Sequence, residues 1–145
     1  MTINGLEITR LKRFHNEKGD IYHALKASEN SFKQFGEAYF STVNFGDIKG
    51  WKKHTLMVLN IIVPVGAIKF VVYDDRAEST SQGLFQELII APGNYCRLTV
   101  PPNVWMAFQG IYNSNVLLNI ASIEHNPSEC ISLPLDQFAY DWSGT

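Results

Sequence analysis

Between residues 37 and 123 the chain repeats one pattern: a short run rich in Val, Ile, Phe and Tyr, then a cluster of Pro, Gly, Asn or Asp. The runs fall at 37–43, 56–63, 67–73, 85–90, 96–100, 105–110 and 116–123. Asn44-Phe45-Gly46-Asp47, Ala91-Pro92-Gly93-Asn94, Pro101-Pro102-Asn103 and Tyr112-Asn113-Ser114-Asn115 separate them. Apolar runs this short, bounded by turn residues, read as strands. Pro64-Val65-Gly66 is expected to close a hairpin between 56–63 and 67–73, since Pro fixes φ and Gly supplies φ > 0. Helical periodicity is weak throughout: 28–35 has room for one helical turn, and 74–83 reads as polar loop. So many strands at this spacing predict an all-β sandwich or barrel, and a jelly roll disposes of the sheet edges at this length. The 145 residues are expected to form one domain, 1–145.

Composition narrows the function classes. The net charge of −2 with 18% charged residues gives no basic surface for nucleic acid. Aromatics make up 12%, and a β-rich core or a dimer interface accounts for them more simply than a pocket does. Cys96 and Cys130 lie far apart without metal-site spacing, which suits a cytoplasmic protein. The first residues, to Arg13, mix charge and apolar character and lack the apolar core of a signal peptide. The longest apolar stretch, 56–68, is broken by Asn60, Pro64 and Gly66 and is too short to span a bilayer, so no membrane partner is expected.

Strand alternation assigns faces. If one strand runs from Lys52 to Ile62, then Lys52, His54, Leu56, Val58, Asn60 and Ile62 share a side, and Asn119 shares one with Leu117 and Ala121. Asn60 and Asn119, each inside an apolar strand, need hydrogen-bond partners and suggest a polar patch within the barrel. His54 is the leading catalytic candidate: Lys52 and Lys53 beside it would favour a neutral imidazole that serves as a base near pH 7. No metal site is expected, because 105–108 holds no histidine to join His54. A nucleophile elbow, a P-loop and a dinucleotide fingerprint are all missing, and no cofactor is expected.

The order of segments nonetheless resembles a known family. Arg13-Phe14-His15-Asn16-Glu17-Lys18-Gly19-Asp20, then Ile48-Lys49-Gly50-Trp51-Lys52, then 65–76, then 98–108 and finally Tyr140-Asp141-Trp142 is similar to the dTDP-4-dehydrorhamnose 3,5-epimerase family of cupin jelly rolls. The resemblance implies a cupin-type double-stranded β-helix. It places Lys18 and Lys49 where the family has the arginines that hold the nucleotide diphosphate and sugar. Lysine supplies a point charge there without arginine's bidentate fork. The family's catalytic histidine falls at Lys52, its later histidine at Met106, and its acid tyrosine near Asn119. His54, two residues beyond Lys52 and on the same side of a strand, is positioned to replace the base.

The resemblance thus implies an epimerase or ketoisomerase of a dTDP- or UDP-linked 4-keto-hexose in surface-polysaccharide synthesis, such as O-antigen or capsule. His54 is the expected base, and Lys52 or Lys49 the enolate stabiliser. Lys18 and Arg97 would hold the diphosphate; Trp51, Tyr39 or Trp105 would stack on the nucleotide base. The alternative reading is an inactive sugar-nucleotide or carbohydrate-binding module, since Met106 and Asn119 stand where catalytic groups belong. A third is a structural protein whose aromatic strands make a dimer. A homodimer is expected in every case, because an edge strand needs cover.

Overall fold

A computed structural model describes residues 2–144. Its strands are β1 (Glu7–Arg10), β2 (Arg13–Phe14), β3 (Ile21–Tyr22), β4 (Glu37–Thr42), β5 (Ile48–His54), β6 (Leu59–Val65), β7 (Ile68–Tyr73), β8 (Phe85–Ile90), β9 (Cys96–Val100), β10 (Trp105–Gly110), β11 (Val116–Ala121) and β12 (Cys130–Ser132). Two five-stranded antiparallel sheets result, in the orders β1-β9-β6-β11-β4 and β12-β5-β10-β7-β8, with β2 and β3 forming a separate ribbon. From β4 to β12 every connection except β7–β8 carries the chain from one sheet to the other. That winding makes the fold a cupin-type jelly roll.

Each sheet turns alternate residues inward. Leu59, Ile61 and Val63 of β6, Ile68, Phe70 and Val72 of β7, and Cys96, Leu98 and Val100 of β9 meet between the sheets as one buried cluster. Inward positions that are all apolar fix the register, because a one-residue slip would expose the whole set.

The expected hairpin at Pro64-Val65-Gly66 is a corner instead. β6 belongs to the first sheet and β7 to the second, so the bend carries the chain across the sandwich. Gly66 has φ +84°, and a Cβ there would lie 2.1 Å from the Ser114 carbonyl oxygen. Asn115 locks the corner: its Oδ1 accepts from the Ala67 amide and its Nδ2 donates to the Val43 carbonyl. The helical turn expected within 28–35 is not formed; that segment runs as non-helical turns, and 74–83 is loop as expected.

Nor does one strand run from Lys52 to Ile62. β5 ends at His54, 55–58 bends across the sandwich, and β6 begins at Leu59 in the other sheet. Glu129 pins this bend. Its carboxylate accepts from the Leu56 and Met57 amides, and its carbonyl accepts from the Thr55 amide and hydroxyl. Parity counted through the bend therefore fails, and Asn60 does not share a face with His54.

The second sheet also has an outer layer. Trp51, Val71, Trp105 and Ala107 are buried on its far side beneath Leu133, Leu135, Phe138, Tyr140 and Trp142. Phe138 sits between Trp51 at 5.3 Å, Tyr73 at 4.6 Å and Trp105 at 5.6 Å between ring centroids. The C-terminal segment is thus an aromatic strap over that sheet. No helix among the described residues is long and apolar enough to cross a membrane.

Candidate active site

Toward one end of the sandwich the two sheets part around a cavity of about 680 Å³, within the range of small-molecule sites. Leu59, Ile61, Val100 and Leu117 form its apolar floor. Its polar groups come from two walls. β5 supplies Lys49, Lys52 and His54; β4 and β11 supply Glu37, Tyr39, Ser41 and Asn119.

Lys49 and Lys52 are three residues apart, a spacing that in a regular strand puts side chains on opposite faces. A bulge reconciles them. Met106 of β10 pairs with Lys52 and Phe108 with Lys49, so Gly50 and Trp51 together oppose Ala107. The extra residue returns both lysines to the cavity and turns Trp51 outward. Lys49 Nζ then donates to Ser41 Oγ at 2.9 Å, and lies 5.9 Å from the centre of the Phe108 ring.

His54 closes the strand. Its Nδ1 lies 2.5 Å from Glu129 Oε1, and Glu129 is buried with 3% of its surface exposed. Burial pushes the Glu129 carboxyl up, but the hydrogen bond from His54 and the amides of Leu56 and Met57 outweigh it and hold the group below its ordinary value. The carboxylate accepts Nδ1–H, fixes the tautomer and leaves Nε2 as the ring nitrogen free to work in the cavity. Glu129 stands at the end of a 3₁₀ turn, Pro127–Glu129, whose preceding Asn126 accepts from the Ser128 amide. A carboxylate 75 residues from its histidine gives no local spacing to recognise. The turn signal Asn126-Pro127 was the one trace in the sequence.

Tyr39 and Asn119 face each other in register on β4 and β11, and Asn119 Nδ2 donates to the Tyr39 hydroxyl at 3.1 Å. Met106 lines the cavity, as do His125 and Cys130, which had not been singled out as site residues. Glu37 and Ser41 were likewise readable as same-face neighbours of Tyr39.

The other expected site residues lie elsewhere. Trp51 is fully buried in the outer layer and donates Nε1–H to the Leu135 carbonyl. Trp105 is in the same layer and donates to Asp75. Arg97 is fully buried against the segment that follows β3, binding the Ala24 carbonyl at 2.6 Å and Glu29 at 2.8 Å. Asn60 donates to the Ser31 carbonyl and accepts from Thr99. All four hold the fold together, and none lines the cavity. Lys18 is exposed in the β2–β3 turn, also outside it. Lys53, expected to act on His54, points the other way: its Nζ is 3.0 Å from Asp75 and 4.7 Å from the centre of the Trp105 ring. Among the described residues no group of three or more His, Cys, Asp or Glu is placed to hold a metal ion.

A jelly-roll cavity with a carboxylate-held histidine and two lysines on one wall is suited to a carbonyl substrate carrying negative charge. No protein-family model matches the sequence. The dTDP sugar isomerase of Desulfovibrio desulfuricans G20 is 33% identical, superposes with a TM-score of 0.94, and is matched over 99% of this chain and 94% of its own. At that identity over nearly both whole chains, this protein belongs to the dTDP-sugar isomerase family. The probable low-salt glycan biosynthesis epimerase Agl13 of Haloferax volcanii is 24% identical over 97% of this chain and 95% of its own. NovW, a 4-keto-6-deoxy sugar epimerase from the novobiocin cluster of Streptomyces spheroides, shares the fold at TM-score 0.89 and 17% identity, over 99% of this chain and 77% of its own.

Proposed function

We propose that this protein is an epimerase or isomerase of a nucleotide-linked 4-keto-hexose, a dTDP-sugar by kinship, serving surface-polysaccharide synthesis. The observation that carries the reading is the His54–Glu129 pair beside Lys52 and Lys49 in one cavity. A hydrogen α to the sugar ketone is removed by His54 Nε2. The electron pair moves onto the ketone oxygen as an enolate, and Lys52 or Lys49 neutralises that oxygen. Glu129 holds the imidazole in the tautomer with Nε2 unprotonated and steadies the imidazolium that forms. The apolar floor of Leu59, Ile61 and Leu117 strengthens each of these charge interactions.

Lys18 is carried in this reading as a contact for the nucleotide diphosphate, and Tyr39 as an aromatic group near the ligand. A homodimer is part of the proposal: Phe40 stands 71% exposed on the edge strand β4, an apolar side chain at an unpaired edge. Two unpaired cysteines accord with a reducing, cytoplasmic setting.

The test is a dTDP-linked 4-keto-6-deoxyhexose in D₂O followed by proton NMR. The α-proton signal disappears with the intact protein and persists with His54→Ala. Saturable nucleotide-sugar binding without any exchange would replace the enzyme by a binding module.

A further inference from the structure

The inner face of the first sheet changes character along one row of side chains. Strand register sets Ile61 of β6, Asn119 of β11 and Tyr39 of β4 side by side across three neighbouring strands, and all three line the cavity. The row runs from the apolar floor that Ile61 shares with Leu59 and Leu117 to a polar rim that Tyr39 shares with Glu37 and Ser41. Asn119 is the first polar group above the floor. Among the described polar residues that line the cavity it alone is buried, with 2% of its surface exposed.

The Asn119 amide is half used. Its Nδ2 donates to the Tyr39 hydroxyl at 3.1 Å, whereas its Oδ1 has no hydrogen-bond partner among the described residues. A buried carbonyl oxygen without a donor is costly. The cations of the cavity stand on β5, in the other sheet, and Lys49 Nζ already donates to Ser41 Oγ. Glu37 adds a second acceptor to the same wall, since an ionised carboxylate cannot donate. What the wall calls for is a donor carried in by the ligand.

We propose that Asn119 is a specificity-determining residue: its Oδ1 accepts from a ring hydroxyl of the sugar and so selects substrates that carry it. This rests on the reading of the cavity as a nucleotide-sugar site. The row also identifies the hydroxyl. Ile61 and Asn119 sit on paired strands, about 4.8 Å apart. A 6-deoxyhexose with its methyl group on the floor by Ile61 then needs a hydroxyl at a similar separation. In a nucleotide-linked 4-keto-6-deoxyhexose only C2 and C3 bear free hydroxyls, because the nucleotide takes C1 and the ketone C4. The C3 hydroxyl is the nearer of the two to the methyl. A ring lying along the row in this way turns one face toward β5, where His54 stands. An analogue without the C3 hydroxyl leaves Oδ1 buried and unpaired, which is the basis of rejection.

The test measures binding, so it does not depend on turnover. Calorimetric titration of the full chain compares a dTDP-linked 4-keto-6-deoxyhexose with its 3-deoxy and 2-deoxy analogues. The 3-deoxy analogue should bind roughly 10- to 100-fold more weakly than the parent sugar, and the 2-deoxy analogue nearly as well as the parent. Asn119→Leu should bring the parent and the 3-deoxy analogue close to equal affinity, chiefly by weakening the parent. Asn119→Asp, which keeps an acceptor in place, should retain the preference. If Asn119→Leu fails to fold, Asn119→Val suits a strand and should give the same result. Equal affinity of the intact protein for the parent and the 3-deoxy analogue overturns the inference. So does an undiminished preference in the folded Leu or Val variant, or a preference that falls on the C2 hydroxyl instead. A preference for the C3 hydroxyl without any α-proton exchange removes His54 as the base and leaves the role of Asn119 standing. Failure to bind any of the three sugars removes the nucleotide-sugar reading and this inference with it.

Discussion

The two faces of the second sheet use the same strands for opposite ends. Toward the cavity, β5 and β10 present Lys49, Lys52, His54, Met106 and Phe108. Away from it they present Trp51, Lys53, Trp105 and Ala107 beneath the C-terminal strap. Lys52 and Lys53 are adjacent in sequence and differ entirely in circumstance: Lys52 opens on the cavity, whereas Lys53 is bound to Asp75 and covers an indole. The three tryptophans, with Phe138 and Tyr140, seal the outer face of the sheet, while Tyr39 and Phe108 line the cavity. The inner face carries the polar side chains Lys49, Lys52 and His54 toward the cavity.

The sharpest break of this comparison is at His54. His54→Ala should lower α-proton exchange by roughly 10²- to 10⁴-fold, measured by NMR, with the melting temperature changed far less than the rate. An outer-face substitution should do the reverse. Trp51→Ala empties the centre of the aromatic layer and should cost about 3–5 kcal/mol in denaturant unfolding, while whatever remains folded in the cold keeps its turnover per folded molecule. Next comes Lys52→Gln, expected to slow exchange by roughly 10²-fold with unfolding free energy within about 0.5 kcal/mol of the parent. Its neighbour's substitution, Lys53→Gln, should give the smallest effect: about 1 kcal/mol or less in stability and no change in exchange rate. Equal loss of activity in the two lysine variants would dissolve the distinction between the faces.

Acid offers a further test, which falls between the lysine variants in size. The hydrogen bonds from Arg76, Ser81 and Ser79 hold the Asp74 carboxyl well below the usual carboxylate range despite burial, and Glu129 is lowered as well. A carboxyl depressed in the folded state contributes stability fully above its unfolded value, near pH 4, and loses that contribution as pH falls toward the folded value. The melting temperature should therefore hold between neutrality and about pH 5, then drop below about pH 4. Asp74→Asn should melt roughly 5 °C lower at neutral pH and show a shallower acid decline.

Much of the fold was legible because it is written in local terms. Period-two apolar runs and turn clusters located β4 and β7 through β11 within a few residues. Within the site, Lys52, His54 and Asn119 were readable as polar residues on strand faces, Lys49 through the family resemblance and Tyr39 through its aromatic ring, and all five line the cavity. What failed was long-range. Asn60 was misplaced because parity was carried through a bend at 55–58 that the distant Glu129 and Ser122 hold. Trp51 and Trp105 were misread because the outer face of a sheet looks like an inner one until something is known to cover it. The cover was present as Phe138, Tyr140 and Trp142, aromatics at every second position near the end of the chain, a one-sided pattern that called for a partner surface. Arg97 drew attention as a cation, yet a guanidinium with no exposed surface already has its carboxylate, Glu29.

The bulge at Gly50 and Trp51 also governs how this gene can change length. Removing one residue there would leave the two lysines two positions apart, so plain alternation would keep both on the cavity side without the bulge. A residue added after Lys52 instead would put His54 on the opposite face, away from the cavity and from Glu129. The interval from Lys52 to His54 therefore has a fixed count as well as a fixed content. Relatives that keep the chemistry should tolerate exchange of one side chain for another along it far more readily than any insertion or deletion.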